Sequence, residues 1–532
     1  MRVLVFHGYL LRGTGSNIYT AGLAAALVGL GHEVHLVCQE RHASELSFVG
    51  AVGDWDAGEL RVRRVGASAC TVYRPQIGGL LPVYVLDRYE GVEARLFSEL
   101  TDAELHDYVR ANVDAVADVL ARARPDVALA NHLVMGPAIV ARALAGTSVP
   151  YAVAVHGSAL EYTVKPHPRF LPYAREGVRA ASAVLVGSSH TAESLWAALQ
   201  EPGLRAKTRL APPGVDVGTF RPLERAQAAA QVRALANRLT PRSQEPASRE
   251  PGEHSDPRVL ESGFERDRAA TADALGRLAE AAPAEQIVTF VGKLIVSKGI
   301  DLLLLCWPLV LTSVPTARLS VVGFGAYRSA AERMTAALSR GDLDEVYALV
   351  ASGRGAEGGL PSRLPFATSF LEGLQAAGQR QWYLEHAKAM QERVLFTGRL
   401  EHGELASFLP LCEAMVVPST FPEAFGMVAV ESAACGVLPI SAAHSGLAEV
   451  SRTLSRAVAE PHREFLSFPL GPAVVESIAA RIIYWLRIPA DTRAATRAAL
   501  IKTVAARYSW DAVARGVIAA ARGELAALDA PT

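Results

Sequence analysis

The amino-acid sequence predicts an α/β fold in which two parallel sheets are each packed against helices. Two observations lead to this prediction. Short apolar runs alternate with helical segments in two separate series, which begin at Arg2–His7 and at Ile287–Gly292. The chain has 532 residues, enough for more than one domain. Strands that alternate with helices in this way form parallel sheets with right-handed crossovers.

The first series begins with a continuous apolar run, which is typical of a strand buried on both faces. A Gly-rich loop follows at Gly8–Ser16, then an Ala/Leu-rich helix at Asn17–Leu30 that Gly31 ends. The later elements predicted in this half are a strand at Glu33–Val37, a helix at Asp102–Arg124, and strands at Val127–Ala130, Tyr151–Val155, Ala183–Val186 and Arg209–Ala211.

The second series predicts a separate domain of the same kind. Its elements are a strand at Ile287–Gly292, a helix near Ile300–Leu311, strands at Leu319–Val322, Val394–Thr397, Ala414–Val417 and Val437–Ile440, and helices at Ala473–Leu486, Ala490–Ala505 and Trp510–Leu528. Together the two series predict two Rossmann-like domains that face each other across a cleft. Ligands of such sheets bind beyond the carboxyl ends of the strands.

Two segments depart from the alternating pattern. Pro241–Arg268 is rich in Pro, Arg, Glu and Ser and predicts a disordered or loosely ordered insertion. Ala326–Arg393 is much longer than a compact αβ connection and predicts an additional helical element, with one helix at Phe370–Glu392. The predicted domains are 1–215 joined by the C-terminal helix 510–532, and 216–509 with insertions near 225–285 and 326–393.

Composition excludes several classes of protein. The chain is 50% hydrophobic and 20% charged, with a net charge of −1, which argues against a nucleic-acid partner bound by bulk positive charge. The five cysteines are scattered and form no C-x-x-C pair, so free thiols in a reducing cytosol and no metal site are expected. No signal peptide or apolar run of membrane-spanning length is recognised, so a cytoplasmic location is predicted.

The segment Pro422–Glu431 carries the most informative pattern, P-E-x-F-G-x-x-x-x-E, at a strand-to-helix junction. Gly426 lets a ligand approach the backbone, and the first turn of the following helix favours negative charge. The carboxylates of Glu423 and Glu431 are good acceptors for paired hydroxyl groups. Spacing alone leaves open that Glu423 caps the helix and that Glu431 is a solvated helix residue.

Three further positions suggest ligand contacts. Lys293 and Lys298 lie in a loop between a strand and a helix, where they can neutralise a diphosphate or simply be solvated. Gly13 and Gly15 lie in the Gly-rich loop, which lacks G-x-G-x-x-G. The next strand ends in Val37-Cys38-Gln39 without an Asp or Glu, which argues against a nicotinamide site. His156 ends a strand and is either structural or a ligand contact.

In this order the motifs resemble those of the retaining GT4-like glycosyltransferases, which have the GT-B fold. Gly292–Gly299 resembles the family's G-[RK]-x4-K-G diphosphate site, with lysine where arginine is more usual. Gly214–Phe220 resembles its interdomain hinge, and Ser445–Val450 its G-G-x-x-E-V/I loop, with Ser445 in place of the first glycine.

The resemblance implies a metal-independent hexosyltransferase that needs no cofactor. The donor would be a nucleoside-diphosphate sugar, and the acceptor an unidentified saccharide, lipid or small metabolite. Glu423, His156 and Lys298 would be the catalytic residues. Donor contacts would come from Lys293, Lys298, Arg399, Glu423, Phe425, Gly426, Met427, Val428, Glu431, Gly13 and Gly15. The N-terminal domain would hold the acceptor and the C-terminal domain the donor.

Other interpretations stay open on the sequence. A sugar-nucleotide epimerase or hydrolase, or a non-catalytic nucleotide-sugar-binding module, would share the fold, and a dehydrogenase is a more distant alternative. Many relatives act on lipid acceptors, so peripheral contact with the inner face of the membrane is compatible with the resemblance. The basic cluster at Arg61–Arg64 is explained equally well as a solvated strand edge.

Overall fold

A computed structural model describes residues 1–13, 15–84, 93–240 and 266–532. Most of the predicted insertion at Pro241–Arg268 lies outside the described residues. The chain divides into two compact units, here called unit 1 (Met1–Asp216 with Tyr508–Thr532) and unit 2 (Val217–Arg507). Each unit is built on a largely or wholly parallel sheet with helices packed on it, so the predicted fold class is confirmed.

Unit 1 contains a nine-stranded sheet and a separate two-stranded one. The strands of the large sheet are β1 (Arg2–Phe6), β2 (Glu33–Val37), β3 (Val49–Asp56), β4 (Glu59–Arg64), β5 (Cys70–Arg74), β8 (Val127–Asn131), β9 (Tyr151–Val155), β10 (Ala183–Val186) and β11 (Thr208–Leu210); β6 (Leu80–Val83) and β7 (Glu93–Leu96) form the small one. The order is β11-β10-β9-β8-β1-β2-β5-β3-β4, parallel except for the β3–β4 pair.

The sequence analysis did not predict strands β3 to β5. Two of them escape the buried-strand pattern: β3 contains two glycines, and β4 carries four charges in six residues because it is the edge strand. The helices of unit 1 are Gly15–Gly29, Asp102–Ala123, Gly136–Ala143, Leu171–Arg179, Ser189–Leu199, Leu204–Lys207 and Trp510–Ala521.

The C-terminal helix completes unit 1. A Cβ atom at Gly22 or at Gly214 would lie 2.5 Å from the ring of Trp510, so both glycines make room for that indole. The helix is shorter than predicted: it ends at Ala521, and Gly523 follows with a φ of 77°. The prediction of one helix over Trp510–Leu528 is therefore wrong, because a left-handed glycine ends the helix.

Unit 2 has a six-stranded parallel sheet. Its strands are β12 (Ile287–Val291), β13 (Arg318–Val322), β14 (Val394–Gly398), β15 (Ala414–Val417), β16 (Leu438–Ala442) and β17 (Ser467–Phe468). Their order is β14-β13-β12-β15-β16-β17. The chain order reverses between β12 and β15, and in open parallel sheets such a reversal leaves a crevice at the carboxyl ends of the two strands.

The helices of unit 2 are Arg225–Leu239, Arg268–Ala281, Ile300–Ser313, Arg328–Arg340, Leu343–Ser352, Pro365–Ala376, Arg380–Ala387, Met390–Arg393, His402–Phe408, Met427–Ala434, Ser445–Ser455, Val474–Arg487 and Ala490–Arg507. Five of them lie between β13 and β14. The single helix predicted over Phe370–Glu392 is wrong, because Gly378, with a φ of 68°, separates two helices and a further break precedes a third.

Glu413, the residue before β15, ties three helices to the sheet of unit 2. Its buried carboxylate accepts hydrogen bonds of 2.5 Å from Arg225 and 2.5 Å from Arg497. Its backbone N–H donates to the carbonyl of Ile287 at 2.7 Å, and its carbonyl accepts from the Trp485 indole at 2.8 Å. This node holds the strand from which the Pro422–Glu431 segment continues.

We expect Glu413→Gln to destabilise unit 2 by about 3 kcal/mol, because the two arginines lose their shared charged partner. The matched control is Glu372→Gln, since Glu372 pairs with Arg363 at 3.2 Å on the surface; its effect should stay below about 0.5 kcal/mol. Hydrogen exchange measured by mass spectrometry should speed up in β15 and in the helix Ala490–Arg507 for the first variant only. Equal exchange rates in the two variants would contradict the conclusion that Glu413 ties these helices to the sheet.

Candidate functional site

Two motif loops meet at the carboxyl edge of the unit 2 sheet, where β12 and β15 are neighbours. The backbone N–H of Thr420 donates to the carbonyl of Ser297 at 2.9 Å, and the Ser419 hydroxyl reaches the same carbonyl at 3.2 Å. Gly299 permits this approach. Its φ is 69°, and a Cβ there would lie 2.0 Å from the carbonyl oxygen of Pro418.

The approach of the loops brings Lys298 and Glu423 into an ion pair between Nζ and Oε1. The Ser419 hydroxyl donates to the same Oε1 at 2.7 Å. Burial alone raises the pKa of Glu423, but the Lys298 ammonium and these hydrogen bonds outweigh it and hold the pKa below its ordinary value. Glu423 is therefore an ionised, acceptor-only group and is not suited to act as a general acid.

The structure excludes helix capping as the role of Glu423. The helix begins at Met427 and its N-cap is Gly426, three residues after Glu423, whose carboxylate binds Lys298 and Ser419 instead. Gly426 has a φ of 107°, and a Cβ there would lie 2.5 Å from Leu447. The backbone at Phe425 and the first-turn residues Met427 and Val428 thus follow directly on the Glu423 loop, at the positive end of the helix dipole.

Glu431 is buried, with 4% of its surface exposed, so the solvated alternative for this residue is also excluded. Its Oε1 lies 2.9 Å from Nε2 of His402, and the His402 ring lies 4.7 Å from that of Phe220. His402 was not singled out in the sequence. The sequence did contain one signal for His402. It lies three residues after Arg399, which ends a strand-end turn that was singled out.

The turns that follow β12, β13 and β14 are joined through their backbones. The N–H of Gly292 donates to Val322 at 3.1 Å, that of Leu294 to Phe324 at 2.7 Å, and that of Gly323 to Gly398 at 3.0 Å. Lys293 and Arg399 are carried on two of these turns. The Arg399 guanidinium donates to Glu401 at 2.5 Å and lies 5.8 Å from the Phe324 ring centroid.

The helical segment between β13 and β14 reaches the lysine loop. The Glu357 carboxylate accepts the backbone N–H of Val296 at 2.8 Å. Val296 opens the single 3₁₀ turn Val296–Lys298, so this contact caps the turn that carries Lys298. The sequence contained no sign of this contact, since the two residues lie 61 positions apart.

The remaining predicted residues lie in unit 1. Gly13 and Gly15 follow β1, and His156 follows β9; the strand between these two, β8, ends in Asn131. Nε2 of His156 lies 2.9 Å from the Asn131 amide oxygen, and its ring packs on Tyr19 at 4.7 Å. Gly13 has a φ of 98°, and Gly15 is the first residue of the helix Gly15–Gly29. A hydrogen bond to Asn131 from Nε2 leaves Nδ1 of His156 as an acceptor.

Two more histidines accompany His156 at this edge. Nε2 of His7 lies 3.0 Å from Oδ1 of Asn17. The ring of His132 lies between those of His7 and His156, at 5.3 Å and 5.1 Å, and neither of its nitrogens has a hydrogen-bond partner among the described residues. The sequence analysis missed His132, although it follows an apolar strand as His7 and His156 do.

Burial keeps these histidines neutral. It lowers the pKa of His7 to about 4, and together with the nearby His7 it lowers that of His156 to about 3. Burial also takes the pKa of His132 well below its ordinary value. Among the described residues, no group of three or more His, Cys, Asp or Glu is arranged to hold a metal ion, and no helix is long and apolar enough to cross a membrane.

Comparison with known families places both motif regions in one group of proteins. Residues 14–214 match the model described as "Glycosyl transferase 4-like domain", and residues 376–502 match "Glycosyl transferases group 1". The chain belongs to the GT4-like glycosyltransferase family. The predicted family is thereby confirmed from two separate parts of the sequence.

Individual relatives agree with this family membership. The D-inositol 3-phosphate glycosyltransferase of Segniliparus rotundus is 28% identical over 319 residues, which cover 60% of this chain but only 47% of that relative. Among solved structures, sucrose-phosphate synthase from Thermosynechococcus elongatus has a TM-score of 0.56 at 18% identity, covering 99% of both chains. Anabaena HepE in complex with UDP-glucose has a TM-score of 0.52 at 13% identity, covering 97% and 98%. The structural matches show that this chain has the GT-B fold.

Removing the Glu357 carboxylate should loosen the lysine loop. We expect Glu357→Ala to speed amide exchange at residues 296–299 by about tenfold, the effect of losing one hydrogen bond of about 1.4 kcal/mol. Glu357→Gln retains an acceptor oxygen and should exchange much like the unmodified protein. Fast exchange in both variants, or in neither, would contradict a capping role for this oxygen.

The buried histidines should make unit 1 sensitive to acid. An unfolded histidine takes up a proton below pH 6.5, whereas folded His7 and His156 do so only near pH 4 and pH 3. Above pH 6.5 the neutral rings therefore cost no stability. Below it, the free energy of unfolding falls by about 1.4 kcal/mol per pH unit for each histidine, until the pH reaches the pKa of that histidine in the folded state.

Thermal melts between pH 8 and pH 5 measure this loss. His156→Gln should flatten the fall of melting temperature on acidification, while His106→Gln, on an exposed position of the helix Asp102–Ala123, should leave it unchanged. A His156→Gln profile that runs parallel to the unmodified one would show that His156 is not held neutral.

Proposed function

We propose that this protein transfers a hexosyl group from a nucleoside-diphosphate sugar to an acceptor, with retention of anomeric configuration and without a metal ion. The observation that carries the proposal is the Lys298–Glu423 pair at the β12/β15 reversal, beside the N-terminus of the helix Met427–Ala434. A cation, a carboxylate and a helix N-terminus at one crevice suit a ligand with both phosphates and hydroxyls.

In this proposal Lys298 and Lys293 bind the diphosphate and stabilise the charge that develops on it as the glycosidic bond breaks. Glu423 accepts hydrogen bonds from sugar hydroxyls, and the amides from Phe425 to Val428 contact sugar or phosphate. When the donor enters, Lys298 exchanges a carboxylate for a phosphate and Glu423 exchanges an ammonium for hydroxyls. Neither charge is then left without a partner, which keeps the exchange inexpensive.

The other predicted residues take supporting roles. Glu431, oriented by His402, would hold the ribose hydroxyls, and the turn at Arg399 would meet the base. His156 would accept a hydrogen bond from the transferred sugar, and Gly13 and Gly15 would contribute backbone amides. Unit 2 would hold the donor and unit 1 the acceptor.

Retention would follow from front-face attack, in which the leaving phosphate takes the proton of the acceptor hydroxyl. Glu423 is not assigned as the base on this route, because with the donor bound its carboxylate accepts hydrogen bonds from the sugar hydroxyls and from Ser419. We therefore assign no protein group as general base. Exclusion of water from the site would limit hydrolysis of the donor.

The comparisons support a choice of first substrates to test. HepE was crystallised with UDP-glucose, and one curated relative is named for transfer to D-inositol 3-phosphate. We propose a UDP- or ADP-hexose donor, and saccharides, lipids and phosphorylated polyols as acceptors to test. A cytoplasmic location, with peripheral contact at the inner face of the membrane when the acceptor is a lipid, completes the proposal.

Lys298→Ala should lower kcat by about a hundredfold or more, because one charge aimed at the leaving group is lost. Lys388→Ala is the matched control, since Lys388 pairs with Glu385 at 2.6 Å on the surface. Product release from a panel of nucleotide sugars, with and without acceptors, measures the rate and also detects isomerised or hydrolysed donor. Unchanged transfer in the Lys298 variant would refute the diphosphate assignment, and isomerised donor without acceptor would refute the transferase.

A further inference from the structure

Ser445 stands where the family loop has its first glycine, and it keeps a glycine-like backbone, with a φ of 50°. A non-glycine residue in this region costs of the order of 1 kcal/mol or more. Its hydroxyl oxygen accepts the backbone N–H of Glu423 at 2.9 Å. Ser445 is also the first residue of the helix Ser445–Ser455, whose N-cap His444 makes no side-chain cap, so the hydroxyl does not serve that helix.

The contact belongs to a closed ring of hydrogen bonds. The Ser445 hydroxyl lies 3.1 Å from Nδ1 of His444, and Nε2 of His444 lies 2.7 Å from the carbonyl oxygen of Ser419. The Ser419 hydroxyl returns to the Glu423 carboxylate at 2.7 Å. Since the Ser419 carbonyl can only accept, Nε2 carries the proton and Nδ1 accepts from Ser445. Each donor in the ring then has an acceptor, and the shortest contact of the Ser419 hydroxyl is the one to Glu423.

Glu423 is held through its backbone N–H, its carbonyl and Oε1 of its carboxylate. Its N–H is bound by Ser445, its carbonyl accepts the N–H of Gly446 at 2.9 Å, and its carboxylate is bound by Ser419 and Lys298. Gly446 must lack a side chain, because a Cβ there would lie 2.6 Å from both the Ala424 oxygen and the Phe425 Cα. The turn at His444–Gly446 is therefore packed directly beneath the Glu423 loop.

We infer that Ser445 and His444 are positioning residues that fix the Glu423 carboxylate for the sugar of the donor. This inference rests on the proposed function, since it concerns the residue assigned to the sugar hydroxyls. The ring orients Glu423 through hydrogen bonds that do not involve Lys298, so the Lys298 pair can exchange partners when a donor binds. A site held to within a fraction of an ångström in this way supports turnover more than affinity.

The test compares Ser445→Ala, Ser445→Gly and Ser445→Asn, with Ser369→Ala on the helix Pro365–Ala376 as control. Loss of one hydrogen bond that orients Glu423 should reduce kcat/KM for the sugar nucleotide by about tenfold in the Ala and Gly variants. Binding of the nucleoside diphosphate alone, which lacks the sugar, should change by less than about twofold. Asn tolerates this φ and offers an acceptor oxygen, so it should recover much of the activity.

A Gly variant with unmodified kcat and KM would overturn the inference, because glycine removes the hydroxyl and the strain together. Equal losses for sugar nucleotide and nucleoside diphosphate would also overturn it, since a merely structural defect affects both. An unmodified protein that binds no nucleoside diphosphate would refute the proposed function and this inference with it.

The ring can be tested without any donor. In ¹⁵N spectra of histidine-labelled protein, His444, assigned by its absence in His444→Gln, should show a proton on Nε2 and an unprotonated Nδ1. Ser445→Ala should shift the Nδ1 resonance, whereas Ser369→Ala should not. A proton found on Nδ1 would break the ring and overturn the inference while leaving the proposed function standing.

Discussion

The candidate donor site depends on the close approach of two loops at the point where the strand order of unit 2 reverses. That approach requires a residue without a side chain at Gly299, because the carbonyl of Pro418 occupies the space of a Cβ. The consequence of this approach is electrostatic, because it brings Lys298 and Glu423 into contact. Once the loops touch, an ammonium and a carboxylate that lie far apart in sequence form an ion pair, and the ammonium lowers the pKa of the carboxylate.

This arrangement explains why the site is stable without a ligand yet ready for one. A buried carboxylate on its own would be protonated, and a cluster of lysines on its own would repel. Paired, they neutralise each other, and only a ligand that offers negative charge to the lysine and hydroxyl groups to the glutamate can replace both partners. In the proposed function, this combination of groups would favour a sugar nucleotide over a simple phosphate.

Much of this was predictable from local sequence. The apolar strands and the P-E-x-F-G motif gave the fold class and the placement of Glu423 and Glu431, because buried parallel strands and strand-end loops leave strong local patterns. The edge strand β4 and the contact of Glu357 with Val296 were not predictable in the same way, because they depend on neighbours in space. The helix breaks at Gly378 and Gly523 are local, since each glycine has a positive φ, but the sequence analysis did not place them. The contacts of His402, His132 and Ser445 become visible only when residues from different strand ends are brought together.

The return of the C-terminal segment to unit 1 has a consequence for biosynthesis. The indole of Trp510 fills a hollow formed by Gly22 and Gly214. The backbone carbonyl of Tyr508 accepts the backbone N–H of Val215 at 2.7 Å. The ribosome therefore makes most of unit 1 first and supplies its last piece only after all of unit 2 has been translated. Unit 1 therefore stays incomplete while unit 2 is translated. A chain truncated before Tyr508 lacks the C-terminal segment that completes unit 1.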